Sequence, residues 1–170
     1  MEKTLHVINQ MLSGGLFARY AIGGGIAALF YLEPIATFDL DIFIILPEES
    51  APLVSLSPLY EWLKGKGYRL QKEQVIIEGI PVQFIPVYNE LVKEGVLHAV
   101  ERIYGSIKTF VLCPEYLIAI MLQASRPKDI ERLLRFFEEA EVSDEKLDSV
   151  LSKHNLKETY NNFRKKYYGK

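Results

Sequence analysis

Two aspartates one residue apart, set into a long apolar segment, restrict how this chain can fold. Residues 22–44 read IGGGIAALFYLEPIATFDLDIFI, and Asp39 and Asp41 begin its last, strand-like part. Side chains two apart on a strand point to the same face, so the two carboxylates share one face and Phe38 and Leu40 the other. Adjacent carboxylates repel each other and resist burial. Because a divalent cation relieves both effects, the pair predicts a metal site on a strand.

A glycine cluster lies upstream of the aspartates. Thirteen residues separate Gly25 from Asp39, which is room for one short helix and a returning strand. Glycines let a ligand approach the backbone, and amides at the start of a helix suit a phosphate group. The cluster is not a P-loop, because no Lys-Ser or Lys-Thr follows, and Ala28 stands where the dinucleotide fingerprint needs its third glycine. Alone it is typical of a tight turn, but together with the aspartates it predicts a metal–nucleotide site.

Composition narrows the class of protein. The chain has 170 residues, of which 49% are hydrophobic and 25% charged, as expected for one globular domain or a small domain with a helical extension. A net charge of −2 argues against a generally basic nucleic-acid binder. Cys113 is the single cysteine, which excludes an internal disulfide and a cysteine-based zinc site. No signal peptide or membrane-spanning run is recognised, so we expect a cytoplasmic protein without a membrane partner.

Hydrophobic periodicity predicts mixed α and β structure in the first two thirds of the chain and helices in the last third. The predicted strands cover residues 17–22, 37–46, 68–78, 80–87, 97–104 and 107–112. The predicted helices cover residues 2–13, 26–32, 58–64, 88–95, 114–124, 129–140, 143–152 and 156–168. The change of character predicts an α/β domain over residues 1–112 and a helical region over residues 113–170 that packs on it.

The glycine–aspartate segment resembles the signature of the nucleotidyltransferase superfamily related to DNA polymerase beta, in which a hydrophobic residue, Gly-Gly and a short connection precede Asp-hydrophobic-Asp. The pattern is most similar to the AbiEii-like branch, which includes toxins of bacterial toxin–antitoxin systems. The residues that carry this similarity are Gly24, Gly25, Ala27, Thr37, Asp39, Leu40 and Asp41. The later stretch PEYLIAIMLQASRPKDIERLL resembles the helical segment of these proteins, with an Arg-x-Lys-Asp element at Arg126, Lys128 and Asp129.

The resemblance implies a fold of the α+β class, the nucleotidyltransferase fold, with a mixed sheet flanked by helices and a helical C-terminal extension. It implies transfer of a nucleoside monophosphate from an NTP to a hydroxyl of RNA, a protein or a small molecule. The implied cofactor is Mg²⁺ or Mn²⁺, held by Asp39 and Asp41, which are also the implied catalytic residues. The implied nucleotide-binding residues are Gly24, Gly25, Thr37 and Lys128. An antitoxin-like protein is an implied partner.

One departure from the family pattern concerns the chemistry. In the superfamily a third carboxylate lies on a neighbouring strand, and the matching stretch here, PVQFIP, holds Gln83 at that position. An amide supplies neither the negative charge nor the base that deprotonates a hydroxyl. Glu78 is a candidate substitute, although a glutamate beside a hairpin glycine is more often just solvated. The alternative function is therefore a catalytically impaired nucleotide-binding or toxin–antitoxin interaction protein of the same fold.

A second departure concerns the cations. Met121 stands where relatives often carry a lysine, and Lys128 is a candidate replacement that contacts a triphosphate. Asp129 would then hold Lys128 in place or reach the substrate. The alternative is an ordinary charged helix start, in which Asp129 lies favourably near the positive end of the helix dipole.

The end of the chain, LKETYNNFRKKYYGK, mixes basic and aromatic residues. Such a surface can grip a nucleic-acid backbone and stack bases. A terminal amphipathic helix has the same composition, with its aromatic side chains packed inward and its lysines solvated. The acidic balance of the rest of the chain favours the packed helix.

Overall fold

The computed structural model describes residues 1–33, 37–47 and 55–169 of the chain. The strands in these ranges are β1 (Arg19–Ile22), β2 (Leu40–Ile45), β3 (Arg69–Gln71), β4 (Gln74–Ile77), β5 (Ile80–Pro86), β6 (Val100–Tyr104) and β7 (Ile107–Val111). The helices are α1 (Glu2–Ser13), α2 (Gly24–Ala28), α3 (Ser57–Gly65), α4 (Glu90–Leu97), α5 (Pro114–Ala124), α6 (Pro127–Glu139), α7 (Asp144–Lys153) and α8 (Lys157–Tyr168).

The strands form one mixed sheet in the order β3-β4-β5-β2-β1-β7-β6. β2 runs parallel to β5, and β1 parallel to β7, whereas the other neighbours are antiparallel. The parallel pair of β2 and β5 lies near the middle of the sheet, where both strands have neighbours on each side. The predicted mixed sheet flanked by helices is therefore confirmed.

One face of the sheet carries the main apolar core. Side chains of β2 that alternate with Asp41 are fully buried there, namely Leu40, Ile42 and Ile44. Tyr20 lies opposite Ile44 on the same face, and its hydroxyl donates to Asn9 Oδ1 of α1 at 2.8 Å. The Thr4 hydroxyl of α1 donates to the Ile77 carbonyl at 3.2 Å. Helix α1 therefore covers this face and leaves Asp41 on the opposite one.

Three predicted elements differ from the structure near the glycine–aspartate segment and the first hairpin. The helix predicted over residues 26–32 is α2, which starts at Gly24 and ends at Ala28. The strand predicted from residue 37 begins only at Leu40, so Asp39 precedes it and Phe38 is 79% exposed. The single strand predicted over residues 68–78 is β3 and β4, because Lys72, with φ of 57°, turns the chain between them.

The last third of the chain is helical, as predicted, and α5 is its central helix. Residues Pro114 to Leu122 of α5 are all buried, and the helix contacts α6, α7 and α8. It also contacts α2 and α4 of the first part of the chain. The Ser143 side chain accepts a hydrogen bond from the Lys146 amide and caps α7, as expected of a serine at a helix start. The domain division at residue 112 stays a prediction.

Helix α8 packs Phe163 inward, whereas Tyr167 is 37% exposed. Phe163 is buried, and its ring lies 5.9 Å from that of Phe137 on α6 and 4.9 Å from that of Tyr167. This agrees with the packed-helix interpretation of the basic and aromatic C-terminal stretch. None of the helices in the described part of the chain is long and apolar enough to cross a membrane.

Candidate active site

A cavity of about 320 Å³ lies on the Asp41 face of the sheet, beside α5 and the start of α6. It brings together every residue predicted for the site except Glu78. The predicted residues that line it are Gly24, Gly25, Thr37, Asp39, Asp41, Gln83, Lys128 and Asp129. These residues come from four separate segments of the chain, so the fold itself assembles the site.

The glycines let the chain pass close to the site's polar side chains. The Gly23 amide donates to the Asp41 carbonyl at 2.9 Å, which holds the turn against β2. Gly24 has φ of +59°, and a Cβ there would overlap the Asp41 carboxylate. A Cβ on Gly25 would overlap Thr37 and come within 2.8 Å of Arg132 Nη2. The structure therefore requires glycine at both positions.

Asp41 is half-buried in the cavity wall, whereas Asp39 is exposed at its rim. Burial is the main reason that the pKa of Asp41 is raised above its ordinary value, and the charge of Asp39 raises it further. Lys128 is the strongest of the nearby cations that lower this pKa. The two carboxylates thus interact unfavourably, and positive charge at this point stabilises them.

Gln83 lies directly opposite Asp41 in the parallel pair of β2 and β5. Directly paired residues point to the same face, and both line the cavity. Glu78 is placed elsewhere, at the turn between β4 and β5, where its carboxylate accepts a hydrogen bond from the Tyr68 hydroxyl at 2.8 Å. It lines a different surface groove together with Glu2 of α1. The structure therefore does not bring Glu78 to the aspartate pair.

The corner between α5 and α6 places cations over the cavity. Ser125 ends α5 in the left-handed conformation, with φ of 49°, and Pro127 begins α6 with the fixed φ that suits a first helical position. Between them, Arg126 donates from Nε to Asp129 Oδ2 at 2.6 Å. The Asp129 side chain is 1% exposed. Asp129 therefore fixes Arg126 while Lys128 lines the cavity.

Arg132 is a site residue that the sequence prediction missed. It lies one helical turn after Asp129, and its Nη1 is 3.8 Å from Asp129 Oδ1. Its side chain is 17% exposed and reaches the Gly25 turn. The i,i+3 spacing to Asp129 is the signal that would have indicated it. Three cations and three carboxylates thus line the cavity, and one of the carboxylates, Asp129, pairs with both arginines.

The remaining wall of the cavity is apolar and aromatic. Met121 lies in this wall, so the position where relatives often carry lysine contributes no charge here. The Tyr88 ring is 60% exposed and lies 6.5 Å from that of Phe43. The apolar and aromatic residues of the wall are Phe43, Ile85, Tyr88, Leu112, Leu117, Ile120, Met121 and Ala124. A flat, uncharged ring system fits such a wall.

The donor set fits one hydrated divalent cation. Mg²⁺ binds proteins through one or two carboxylates and takes its other ligands from water and phosphate oxygens. Asp39 and Asp41 line the cavity and would supply the carboxylates, and Gln83 beside them would offer a neutral amide oxygen. Within the described ranges there is no group of three or more histidine, cysteine, aspartate or glutamate side chains that would hold a metal. Two carboxylates leave most positions around a Mg²⁺ ion to water or phosphate oxygens.

The sequence matches no protein-family model and no curated protein. The fold, however, matches solved structures over almost the whole chain. An antigenic nucleotidyltransferase-like protein from Paracoccidioides brasiliensis is similar at a TM-score of 0.58 and 14% identity, covering 96% of this chain and 91% of that one.

ANT(2")-Ia in complex with adenylyl-2"-tobramycin is similar at a TM-score of 0.51 and 16% identity, covering 96% of this chain and 98% of that one. The solution structure of the antibiotic-resistance factor ANT(2'')-Ia is similar at a TM-score of 0.51 and 15% identity, with both chains covered in full. The chain has the nucleotidyltransferase fold.

Proposed function

We propose that this protein is a nucleotidyltransferase that moves a nucleoside monophosphate from an NTP to a hydroxyl group. The observation that supports this most directly is that Asp39 and Asp41 line the same cavity as the Gly24–Gly25 turn and the cations of α6. Polyphosphates need positive charge and close backbone approach, and a Mg²⁺ or Mn²⁺ ion that accompanies them needs carboxylates. The cavity offers all three within one site.

Each wall of the cavity has a role in this proposal. Arg126, Lys128 and Arg132 bind the triphosphate, with Asp129 orienting the two arginines. Gly24 and Gly25 let it approach the backbone, and the Thr37 hydroxyl lies beside Gly25 as a hydrogen-bond partner. The nucleobase contacts the apolar wall of α5.

In the transfer step, the acceptor oxygen bonds to the α-phosphorus while the bond from that phosphorus to the pyrophosphate oxygen breaks. Pyrophosphate leaves, and the hydroxyl proton passes to water. Asp39 and Asp41 would hold a divalent cation, which would orient the phosphates and neutralise charge that develops on them. The protein's own part is to hold the triphosphate and the acceptor in line.

The acceptor is the molecule whose hydroxyl group receives the nucleoside monophosphate. RNA, a protein and a small molecule all carry hydroxyl groups that suit this reaction. The ANT(2")-Ia structure contains adenylyl-2"-tobramycin, so a protein of this fold binds an adenylylated small molecule. This similarity supports a small-molecule acceptor for the present chain.

Calorimetry tests the nucleotide site. We expect wild-type protein to bind the Mg²⁺ complex of α,β-methylene-ATP, and Asp41→Asn and Asp39→Asn each to weaken that binding by about tenfold or more, since each removes a carboxylate charge. Asp148→Asn is the matched control, because Asp148 is exposed and pairs with Lys157 away from the cavity. Unchanged binding in both site variants would contradict the proposal.

A second candidate function is nucleotide binding without turnover, and Gln83 is the observation that favours it. The chain would then act as an interaction protein, such as an AbiEii-like component of a toxin–antitoxin pair with an antitoxin-like partner. Incubation with labelled NTPs and tRNA, protein and aminoglycoside acceptors distinguishes the two. Sustained incorporation that Asp39→Asn abolishes supports the enzyme, whereas tight nucleotide binding without incorporation into any acceptor supports the binding protein.

A further inference from the structure

A row of glutamines extends from Asp41 across the sheet. Gln83 is opposite Asp41, and Gln74 is opposite Gln71 in the hairpin of β3 and β4. In the antiparallel pair of β4 and β5, Val75 is opposite Val82. The next residues, Gln74 and Gln83, are therefore also neighbours across the two strands, and their side chains point to the other face of the sheet. The three glutamines, which we call the amide row, therefore lie on the Asp41 face on three successive strands.

The amide row is open to solvent and continuous with the candidate active site. Gln83 and Gln74 line a groove of about 330 Å³ beside the cavity, and Gln83 lines both. Gln83 and Gln74 are half-buried and Gln71 is exposed. Among the described residues, the glutamine side chains that form hydrogen bonds are Gln10, to His6, and Gln123, to Asn89. The amides of the row thus keep their hydrogen-bonding capacity for a ligand.

The chemistry of the row selects the kind of ligand. Each side-chain amide both donates and accepts hydrogen bonds, as hydroxyl groups do. Lys72 and Glu73, at the turn beyond the row, have opposite charges, and both are exposed. Neither a polycation nor a polyanion therefore finds strong charge complementarity along the groove.

An apolar strip runs beside the row. Ile76 and Pro81 are a directly opposed pair on the same face as Gln74 and Gln83, and both are half-buried. Parallel rows of amides and aliphatic side chains match a ring that has hydroxyl groups at its edge and carbon–hydrogen bonds on its face. That combination is the chemistry of a sugar.

We infer that the amide row binds the acceptor, and that the acceptor is a small, neutral, polyhydroxylated molecule, either a carbohydrate or a nucleoside. This inference rests on the proposed nucleotidyl transfer. The reacting hydroxyl lies at the Gln83 end, where its oxygen reaches the α-phosphorus and its proton leaves to water. Gln83 accepts a hydrogen bond from that hydroxyl and positions it, and Gln74 and Gln71 bind the more distant hydroxyls.

The test uses methyl α-glucoside and uridine as neutral probes and tobramycin as a cationic one. Each is titrated by NMR into the full-length protein, both without nucleotide and with saturating Mg²⁺ and α,β-methylene-ATP. We expect at least one neutral probe to bind more tightly than tobramycin. Gln74→Leu should weaken that binding by about tenfold, because a site built for hydroxyls loses a paired partner.

Gln10→Leu is the matched control, because Gln10 is an exposed glutamine of α1 away from the row. It should leave probe binding unchanged, and Gln74→Leu should leave the affinity for the ATP analogue unchanged. Tighter binding of tobramycin, no binding of either neutral probe, or no effect of Gln74→Leu would overturn the inference. Failure of the wild-type protein to bind the ATP analogue would overturn the proposed function, and the titrations without nucleotide separate the two results.

Discussion

Asp41 and Gln83 face each other across the parallel pair of β2 and β5, and both line one cavity. A carboxylate and an amide are therefore paired at the point where the proposed reaction needs the most negative charge. The amide oxygen can bind a cation weakly and accept a hydrogen bond, but it cannot take up a proton. We therefore expect the side chain at position 83 to decide whether the site catalyses the transfer.

Gln83→Asp should strengthen metal binding and raise any turnover. The shorter side chain places a second carboxylate beside Asp41, where it adds charge for a cation and a base for the hydroxyl proton. We expect the affinity for Mn²⁺, measured by electron paramagnetic resonance, to rise by about tenfold.

Gln74→Asp is the control for that change. It adds the same charge on the next strand, one position further from Asp41. If both variants raise Mn²⁺ affinity equally, general electrostatics and not the Asp41–Gln83 pair is responsible.

Gly24→Ala should remove nucleotide binding by displacing the Asp41 carboxylate, which a Cβ at this position would overlap. Gly79→Ala serves for comparison, because Gly79 also has positive φ, +80°, but has open space around its Cβ position. Both variants place an L-residue at positive φ, which costs about 1 kcal/mol in conformational strain. A loss of binding of α,β-methylene-ATP in both variants alike would show that displacement of Asp41 is not the cause.

Asp129→Asn should lower both stability and nucleotide affinity. Asp129 is almost fully buried and holds Arg126 at 2.6 Å, so the loss of its charge should lower the free energy of unfolding by about 2 kcal/mol. Nucleotide affinity should fall because Arg126 and Arg132 both lose the carboxylate that holds them in position. Urea unfolding and calorimetry measure the two effects.

Glu139→Gln tests the same kind of pair at the other end of α6. Glu139 accepts from Arg135 Nε at 2.6 Å near the helix surface. We expect a smaller loss of stability than for Asp129→Asn and no change in nucleotide affinity. An equal loss of nucleotide affinity would mean that any substitution that disturbs α6 weakens nucleotide binding.

Glu94 should make the stability of the protein depend on pH in the acid range. Burial alone raises its pKa, but hydrogen bonds from Lys153, Tyr116 and His154 outweigh burial and lower the pKa to about 2, from 4.5. A lowered pKa in the folded state means a stabilising contribution that is present above pH 4.5 and is lost as the pH falls towards 2.

Glu94→Gln should therefore be less stable than wild type at pH 7, and the difference in melting temperature should shrink between pH 4.5 and 2. The exposed Glu101, paired with Lys108 at 3.0 Å, provides the control variant Glu101→Gln. A difference between wild type and Glu94→Gln that stays constant over this range would contradict the assignment.

Many helices and strands could be predicted because their signals are local, whereas the fold and the site residues Thr37, Gln83 and Lys128 were predicted from the resemblance to nucleotidyltransferases. Pro114 and the apolar run after it predict α5 with its observed bounds, and Ser143 marks the start of α7. The prediction for residues 68–78 was wrong because a turn at Lys72 requires positive φ in a residue that rarely adopts it.

The parts of the site that were missed depend on tertiary packing. Arg132 joins the site only because α6 lies over the Gly25 turn, and Tyr88 only because the chain after β5 passes Phe43. The i,i+3 spacing places Arg132 beside Asp129, but no periodicity indicates that either Arg132 or Tyr88 reaches the cavity. The amide row is likewise invisible until the register of β3, β4 and β5 is known.

Helix α5 has a consequence for how this protein can evolve. Its side chains form one wall of the cavity and also the centre of the helical region, so Leu117 and Ile120 are under two constraints at once. A substitution that reshapes this wall also changes the packing of the core, and most such changes are destabilising. The strands on the other side carry partly exposed residues, whose replacement disturbs less of the core. We therefore expect changes of the cavity lining on the sheet to cost less stability than changes on α5.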